Sequence, residues 1–182
     1  PAMFADGDAE MDLLADLLAN GKTSRLYRTL VYESRMAVDV SAYQSSRELG
    51  SFFLLVATAA PGRSLTDIVA AVDTELERVA SSGPTDDEME RSAAQAEAHF
   101  LYRLQTVGGF GGKSDQLNAY NVLKGDPAFF AADLERYRRA SRESVRAAAE
   151  RHLRPDRRVL LSVVPRGQQP LALAGSERIA VS

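Results

Sequence analysis

Two histidines, His99 and His152, are the residues of this chain whose type could support metal-dependent chemistry. A catalytic zinc site usually needs three convergent protein ligands, and a helical His-x-x-Glu-His motif supplies two of them on one face. His99 occurs in His-Phe-Leu-Tyr-Arg and His152 in His-Leu-Arg-Pro-Asp, so neither has another histidine nearby in sequence. We therefore expect structural or surface roles for both, and neither a metal ligand nor a catalytic residue in this chain.

A glycine cluster is the second feature that could bind a ligand, because four of its five residues are glycine. The Lys113-Ser114 pair that follows suggests a phosphate loop, but such a loop needs a glycine where Val107 stands. Two interpretations remain: a break that lets a helix reverse, and a loop whose backbone approaches a bound peptide closely. The candidate peptide contacts are Gly108, Gly109, Phe110, Gly111 and Gly112.

Other patterns give no catalytic constellation. No Gly-x-Ser-x-Gly elbow is present, and serines beside acids, such as Ser114-Asp115, are better explained as helix caps. The arginine-rich stretch from Arg136 to Arg158 fits solvated helix faces, with docking to an acidic domain as the alternative.

Composition excludes several classes of protein. The chain has 182 residues, a net charge of -3 and no cysteine, which gives no case for nucleic acid binding and rules out disulfides and thiolate ligands. No apolar run is long enough to span a membrane, and acidic residues fill the region where a signal peptide would need an apolar run. We expect one globular domain.

The elements that must position these residues begin with two helices and a hairpin. The first helix is predicted from Asp8 to a stop at Asn20-Gly21, and a shorter one opens at Thr23 or Ser24. Alternating apolar residues then predict a half-buried strand whose inward face is Met36, Val38, Val40 and Ala42. Residues 51–59 are apolar at both parities, which predicts a more deeply covered antiparallel partner.

Helices dominate the rest of the chain. Start signals occur at Ser64, at Thr85 with a capping box, at Asp126-Pro127 and at Ser141, and a further helix after the glycine cluster stops at Gly125. Residues 159–164 predict a final strand, and 166–182 a tail or linker, so the domain is predicted to span 1–165. We also expect a strand before Pro1, with residues 2–4 as its remnant.

This order of elements is not the regular alternation of a parallel sheet. It predicts the α+β class, with an antiparallel sheet and helices packed mainly on one face.

Several segments, in this order and spacing, resemble a known family. They are Leu14 through Ala59, Pro84 to Arg91, Val107 to Asp115, Asn118 to Asn121 and Gly125 to Pro127. Together they resemble the second, zinc-free domain of pitrilysin or insulinase-type metallopeptidases, most closely in exported bacterial members. The resemblance implies a processing-peptidase-like fold, in which pairs of such domains form two halves that close around a peptide.

The resemblance also implies what the chain does. A zinc-bearing domain, in the same or another chain, would supply the metal, and this domain would wall the peptide chamber. It implies a periplasmic or exported setting, and no membrane or nucleic acid partner is indicated. The alternative is a scaffold or regulatory subunit related to the family but without peptidase activity.

One part of the family pattern is missing. Family members often hold substrate with an Arg and a Tyr seven residues apart, and those positions correspond to Val31 and Val38 here. Arg25 and Tyr32 have the right spacing but lie one turn earlier, so the role is not transferred to them. The departure suggests a domain that does not supply the clamp, or a member without activity.

Overall fold

The structure, a computed structural model, describes residues 1–177 and is built mainly from helices around one hairpin. The first half contains α1 (Asp8–Ala19), a π-helical segment (Tyr27–Glu33), β1 (Ala37–Ser45), β2 (Phe52–Ala59) and α2 (Leu65–Ser82). The second half contains α3 (Asp86–Arg103), α4 (Lys113–Lys124), α5 (Phe130–Arg139), α6 (Arg142–His152) and two short 3-10 turns, Pro155–Arg157 and Gln169–Leu171.

Most predicted helix ends are confirmed, because they depend on local hydrogen bonds. The Ser64 side chain accepts from the Thr66 amide at the start of α2, and Thr85 and Glu88 form the capping box of α3. Ser141 caps α6 in the same manner. Gly125 ends α4 in the left-handed conformation, with φ of 68°, which a glycine adopts without strain.

The predicted starts of two helices were wrong. Gly7, not Asp8, occupies the cap position of α1, and the buried Asp8 carboxylate instead accepts the Phe4 amide at 2.8 Å. The second start was expected at Asp126-Pro127, but α5 begins at Phe130. The Asp126 carboxylate accepts the Ala128 amide at 2.9 Å, which holds a turn before the helix rather than its first turn.

The segment predicted as a short second helix is a π-helix for most of its length. It ends where Ser34 donates its amide to Thr29 at 3.1 Å, the wider spacing that defines this form. Leu30 is its buried residue, and the partly buried Tyr27 and Val31 also pack against the core.

The hairpin is antiparallel, with Val40 opposite Ala57 and Ser45 opposite Phe52. An irregularity between Ala37 and Asp39 adds one residue to β1 relative to β2. Because side chains alternate between the two faces of a strand, the residues that precede this point lie on the opposite faces from those that a regular strand would give. Ala37 and Val40 are therefore buried while Val38 is 55% exposed. The prediction that Val38 shares a buried face with Val40 was wrong for this reason.

The second strand is also less covered than predicted. Phe52 and Val56 lie on one face of β2 and are about half exposed, because the helices cover only the other face of the hairpin. α1 contacts β1 and α2 contacts β2 on that covered face. The predicted α+β class, with helices mainly on one face of an antiparallel sheet, is confirmed.

Two strand predictions are not met. Residues 159–164 have no ladder partner within residues 1–177, and Val159 and Val163 remain largely exposed. Ala2 to Phe4 form a turn rather than a strand, and the Met3 amide donates to the Arg47 carbonyl at 2.9 Å. A strand needs a neighbour for its backbone groups, and neither segment has one in the sheet described.

The core lies between α1, α2, α6 and the covered face of the hairpin. Its fully buried side chains include Leu14 and Leu18 of α1, Val79 of α2 and Val145 of α6. The predicted domain limit at 165 stays a prediction. Residues 178–182 of the predicted tail lie outside the described residues, and no helix within residues 1–177 meets the length and hydropathy needed to cross a bilayer.

Candidate functional site

The glycine loop, residues 108–112, reverses the chain between α3 and α4. Two backbone hydrogen bonds close its base: the Lys113 amide donates to the Thr106 carbonyl at 2.8 Å, and the Ser114 amide donates to the Val107 carbonyl at 3.1 Å. This confirms that the cluster breaks the helical run. The hydrogen bonds also give the loop a defined backbone path.

Glycine is required at three of the four positions. Gly109 and Gly111 have φ of 83° and 77°, a region that other residues enter only with strain. Gly112 is limited by space instead, because an added Cβ would lie 2.8 Å from the Gly108 carbonyl oxygen and 2.9 Å from that of Thr106. Around Gly108 nothing lies within 4 Å of such an atom.

Two charged side chains brace the loop from the flanking helices. Arg103 Nε, at the end of α3, donates to the Gly111 carbonyl at 3.0 Å. The Gly111 amide donates to Asp115 Oδ2, in the first turn of α4, at 2.9 Å. Both polar groups of one residue are therefore held by side chains, which restricts the loop further.

Phe110 projects from this fixed backbone into solvent. It is fully exposed, and Val107 and Tyr102 beside the loop in sequence are 73% and 68% exposed. An aromatic side chain on a restricted turn can bury apolar area against a ligand at low entropic cost. The five loop residues are four glycines and a phenylalanine, so what the loop offers is backbone and one aromatic surface.

The phosphate interpretation fails on geometry as well as on spacing. The amides of Lys113 and Ser114 already donate to carbonyls, and the Gly111 amide donates to a carboxylate. These three backbone donors are thus not free for a phosphate, and one of them faces a negative charge.

The two histidines are not brought into a metal site. His99 is exposed on α3, whereas His152 is partly buried at the end of α6. Burial lowers the pKa of His152, and the nearby Arg151 and Arg157 lower it further. Within residues 1–177 no group of three or more His, Cys, Asp or Glu side chains is arranged to hold a metal ion.

The positions of the family clamp carry no clamp. Val31 is half buried in the π-helical segment, and Val38 is exposed at the irregularity in β1. Arg25 is engaged elsewhere, since Nε and Nη2 donate to both oxygens of Glu88 at 2.7 Å. Tyr32 is 76% exposed. The absence of the clamp role from Arg25 and Tyr32 stays a prediction.

The arginine-rich stretch is largely paired within the domain. Arg138 pairs with Glu97, Arg146 with Glu143 and Glu150, and Arg158 with Asp73. These pairs support the interpretation as solvated helix faces, because carboxylates of this chain already neutralise much of the charge.

Sequence reasoning missed a polar cleft of about 520 Å³ that is lined by α1, β1, α3, α4 and α5. Asp8, Asp12 and Asp16 recur every four residues and place three carboxylates on one side of α1. That spacing was visible in the sequence, yet these residues were considered only as charges that exclude a signal peptide and, for Asp8, as a helix cap. Asp8 and Asp12 meet their partners on α5, which follows more than 100 residues later in the sequence.

Arg136 of α5 is the cation at the centre of this cluster. Its guanidinium donates to Asp8 Oδ2 at 3.0 Å and to Asp133 Oδ1 at 2.7 Å. Tyr120 of α4 donates to the other oxygen of Asp133 at 2.8 Å, and Gln116 donates to the Tyr120 hydroxyl at the same distance. Burial raises the pKa of Asp133, against the hydrogen bonds from Tyr120 and Arg136 that lower it.

Comparison with known proteins places this fold in a family. The sequence profile of the Peptidase M16 inactive domain matches residues 6–96, half of the chain. The chain therefore belongs to this family of peptidase domains, and the resemblance to a zinc-free metallopeptidase domain is confirmed. No curated protein gives a match.

Solved structures show the same fold. A proposed zinc protease of Bordetella pertussis is 24% identical, with a TM-score of 0.72 over 86% of this chain and 84% of the other. The inactive peptidase domain of a proposed zinc protease of Bordetella parapertussis is 23% identical, with a TM-score of 0.73 over 86% and 82%. The periplasmic protease PqqL of Escherichia coli is 16% identical, with a TM-score of 0.62 over 84% of this chain but only 16% of its own.

Proposed function

We propose that this chain is the non-catalytic domain of an M16 zinc endopeptidase, and that it forms one wall of the chamber in which a peptide is held. The match of residues 6–96 to an inactive peptidase domain carries this proposal. A zinc-bearing domain of the same or another polypeptide would supply the metal, and an exported or periplasmic setting is part of the proposal. The relationship to PqqL, a periplasmic protease, supports that setting.

A domain without reacting groups can still raise a reaction rate. Holding a substrate beside a catalytic group converts a bimolecular step into an effectively unimolecular one. Closing a chamber around the substrate also excludes water. The glycine loop is our candidate for the contact, because its backbone is fixed and Phe110 projects outward. The peptide would pack apolar side chains on Phe110.

Reconstitution tests the role of the whole chain. We expect no hydrolysis of an unstructured peptide by this chain alone, and zinc-dependent hydrolysis once it is combined with the zinc-bearing chain that co-purifies with it. Tight one-to-one zinc binding with hydrolysis by this chain alone would overturn the proposal. Stable association that adds no hydrolysis would instead favour a scaffold or regulatory subunit.

Phe110→Ala tests the loop. Burying part of a Phe side chain contributes about 1.5 kcal/mol, so the variant should raise KM for the peptide about tenfold in the reconstituted enzyme. Leu49→Ala is the matched control, because Leu49 lies in the turn between β1 and β2 and is 98% exposed. Equal KM values for the two variants would show that the glycine loop does not contact the peptide.

A further inference from the structure

Asp12, at the middle of α1, is a carboxylate of the polar cleft that no cation contacts directly within residues 1–177. The Asp8 carboxylate accepts from Gln44, Ser46, the Phe4 amide and Arg136. The Asp12 carboxylate, in contrast, accepts one hydrogen bond from the described part of the chain, from the Tyr137 hydroxyl at 2.6 Å. Its neighbours on the same side of α1 are two further carboxylates, which disfavour a third negative charge.

No cation from the other described elements around the cleft pairs directly with the Asp12 carboxylate. Arg136 is shared between Asp8 and Asp133. Arg103 is directed to the glycine loop, where Nε donates to a carbonyl. The ionisable groups that line the cleft with Asp12 are Asp8, Asp16, Tyr43, His99, Arg103, Asp115, Tyr120, Asp133 and Tyr137, and Arg136 adjoins them.

The contact between Asp12 and Tyr137 joins α1 to α5. Tyr137 also packs its ring edge-on against Phe100 of α3, with ring centroids 5.2 Å apart. α5 carries Arg136 and Asp133 as well, so movement of this helix would open the cleft.

We propose that Asp12 and Tyr137 form a proton-linked clasp, in which a proton on Asp12 keeps α5 closed over the cleft and its loss favours opening. This proposal does not depend on the proposed function. In the protonated form Oδ1 carries the proton and Oδ2 still accepts from Tyr137, so the clasp keeps its hydrogen bond without a charge on the partly buried Asp12. In the ionised form the carboxylate adds its charge to those of Asp8 and Asp16.

The direction of the pH dependence follows from burial. Burial raises the pKa of Asp12 from 3.8 to about 7, and the charges of Asp8 and Asp16 also raise it, whereas the Tyr137 hydrogen bond and the charge of Arg136 lower it. When α5 opens, Asp12 is hydrated and ionises near its ordinary pKa. The closed form is therefore fully favoured below pH 4, and this advantage is lost as the pH rises to about 7.

Two measurements on the full chain test the clasp. NMR of the Asp12 side-chain carboxyl carbon should show a titration midpoint above about 6, and a midpoint near 4 would overturn the proposal. Amide hydrogen exchange in α5, corrected for intrinsic rates, should show opening that increases about tenfold or more between pH 5.5 and pH 7.5.

Variants then assign that dependence to Asp12. Asp12→Asn imitates the protonated form and should reduce the change in opening to about twofold or less. Asp6→Asn removes an exposed carboxylate just before the start of α1, and it should keep the wild-type dependence. Persistence of the full pH dependence in Asp12→Asn would overturn the proposal, and the carboxyl titration of the wild type decides it if the variant does not fold.

Discussion

Substitution of Gly112 by alanine tests whether the shape of the glycine loop is set by close approach of its own backbone. The position has φ of -78° and ψ of -175°, which alanine adopts without strain, so only space opposes the change. The added Cβ would lie 2.8 Å and 2.9 Å from two carbonyl oxygens, and a contact this short forces the backbone to move.

The cost follows from the hydrogen bonds that would be lost. The Thr106 carbonyl oxygen, which the added Cβ would approach, also accepts from the Lys113 amide. The hydrogen bond from the Ser114 amide to the Val107 carbonyl closes the base of the same loop. Each such bond contributes about 0.5–1.5 kcal/mol, so losing both should lower the free energy of unfolding by about 1–3 kcal/mol.

Gly108→Ala is the matched control within the same loop. An added Cβ there has no neighbour within 4 Å, and Gly108 is not among the glycines with positive φ. Reduced entropy of the unfolded chain should make this variant neutral or about 0.4–1 kcal/mol more stable.

Urea unfolding of both variants measures the difference, and exchange of the Lys113 and Ser114 amides locates it. Gly112→Ala should show faster exchange at those two amides, with the rest of the domain unchanged. Equal stability of the two variants to within about 0.5 kcal/mol would refute the argument that Gly112 is needed for close approach.

Two further substitutions test the elements that support the site. Arg25→Met should lower the free energy of unfolding by about 2–4 kcal/mol in urea, because it leaves Glu88 partly buried without its bidentate partner, whereas Arg28→Met removes an exposed pair and should cost less than about 1 kcal/mol. Thr85→Ala removes one half of the capping box of α3 and should cost about 1 kcal/mol by the same measurement, with Ser81→Ala, at an exposed site, as its control.

Local chemistry explains which parts of the fold were predictable. The caps at Thr85 and Ser141 and the stop at Gly125 depend on residues within one helical turn, so the sequence shows them directly. The irregularity in β1 depends instead on register against β2, and a period-two pattern assigns Val38 to the wrong face when one residue is added.

Long-range packing explains what was missed in the candidate site. The glycine loop was found because glycine clusters are visible in sequence, but the position of Phe110 at its surface was not. The polar cleft needs Arg136 to reach Asp8, 128 positions earlier, and no local pattern predicts such a contact. Residues 159–164 show the converse, since strand propensity alone does not supply a partner for backbone groups.

The glycine loop and the polar cleft are physically connected, although they were inferred from different observations. Arg103 donates to the Gly111 carbonyl and also lines the cleft. Asp115 accepts from the Gly111 amide and lines the cleft from α4. A movement of α5 that changes the cleft therefore alters the surroundings of both side chains that brace the loop. Through Arg103 and Asp115, the proposed clasp at Asp12 would alter the same loop that we propose as the peptide contact.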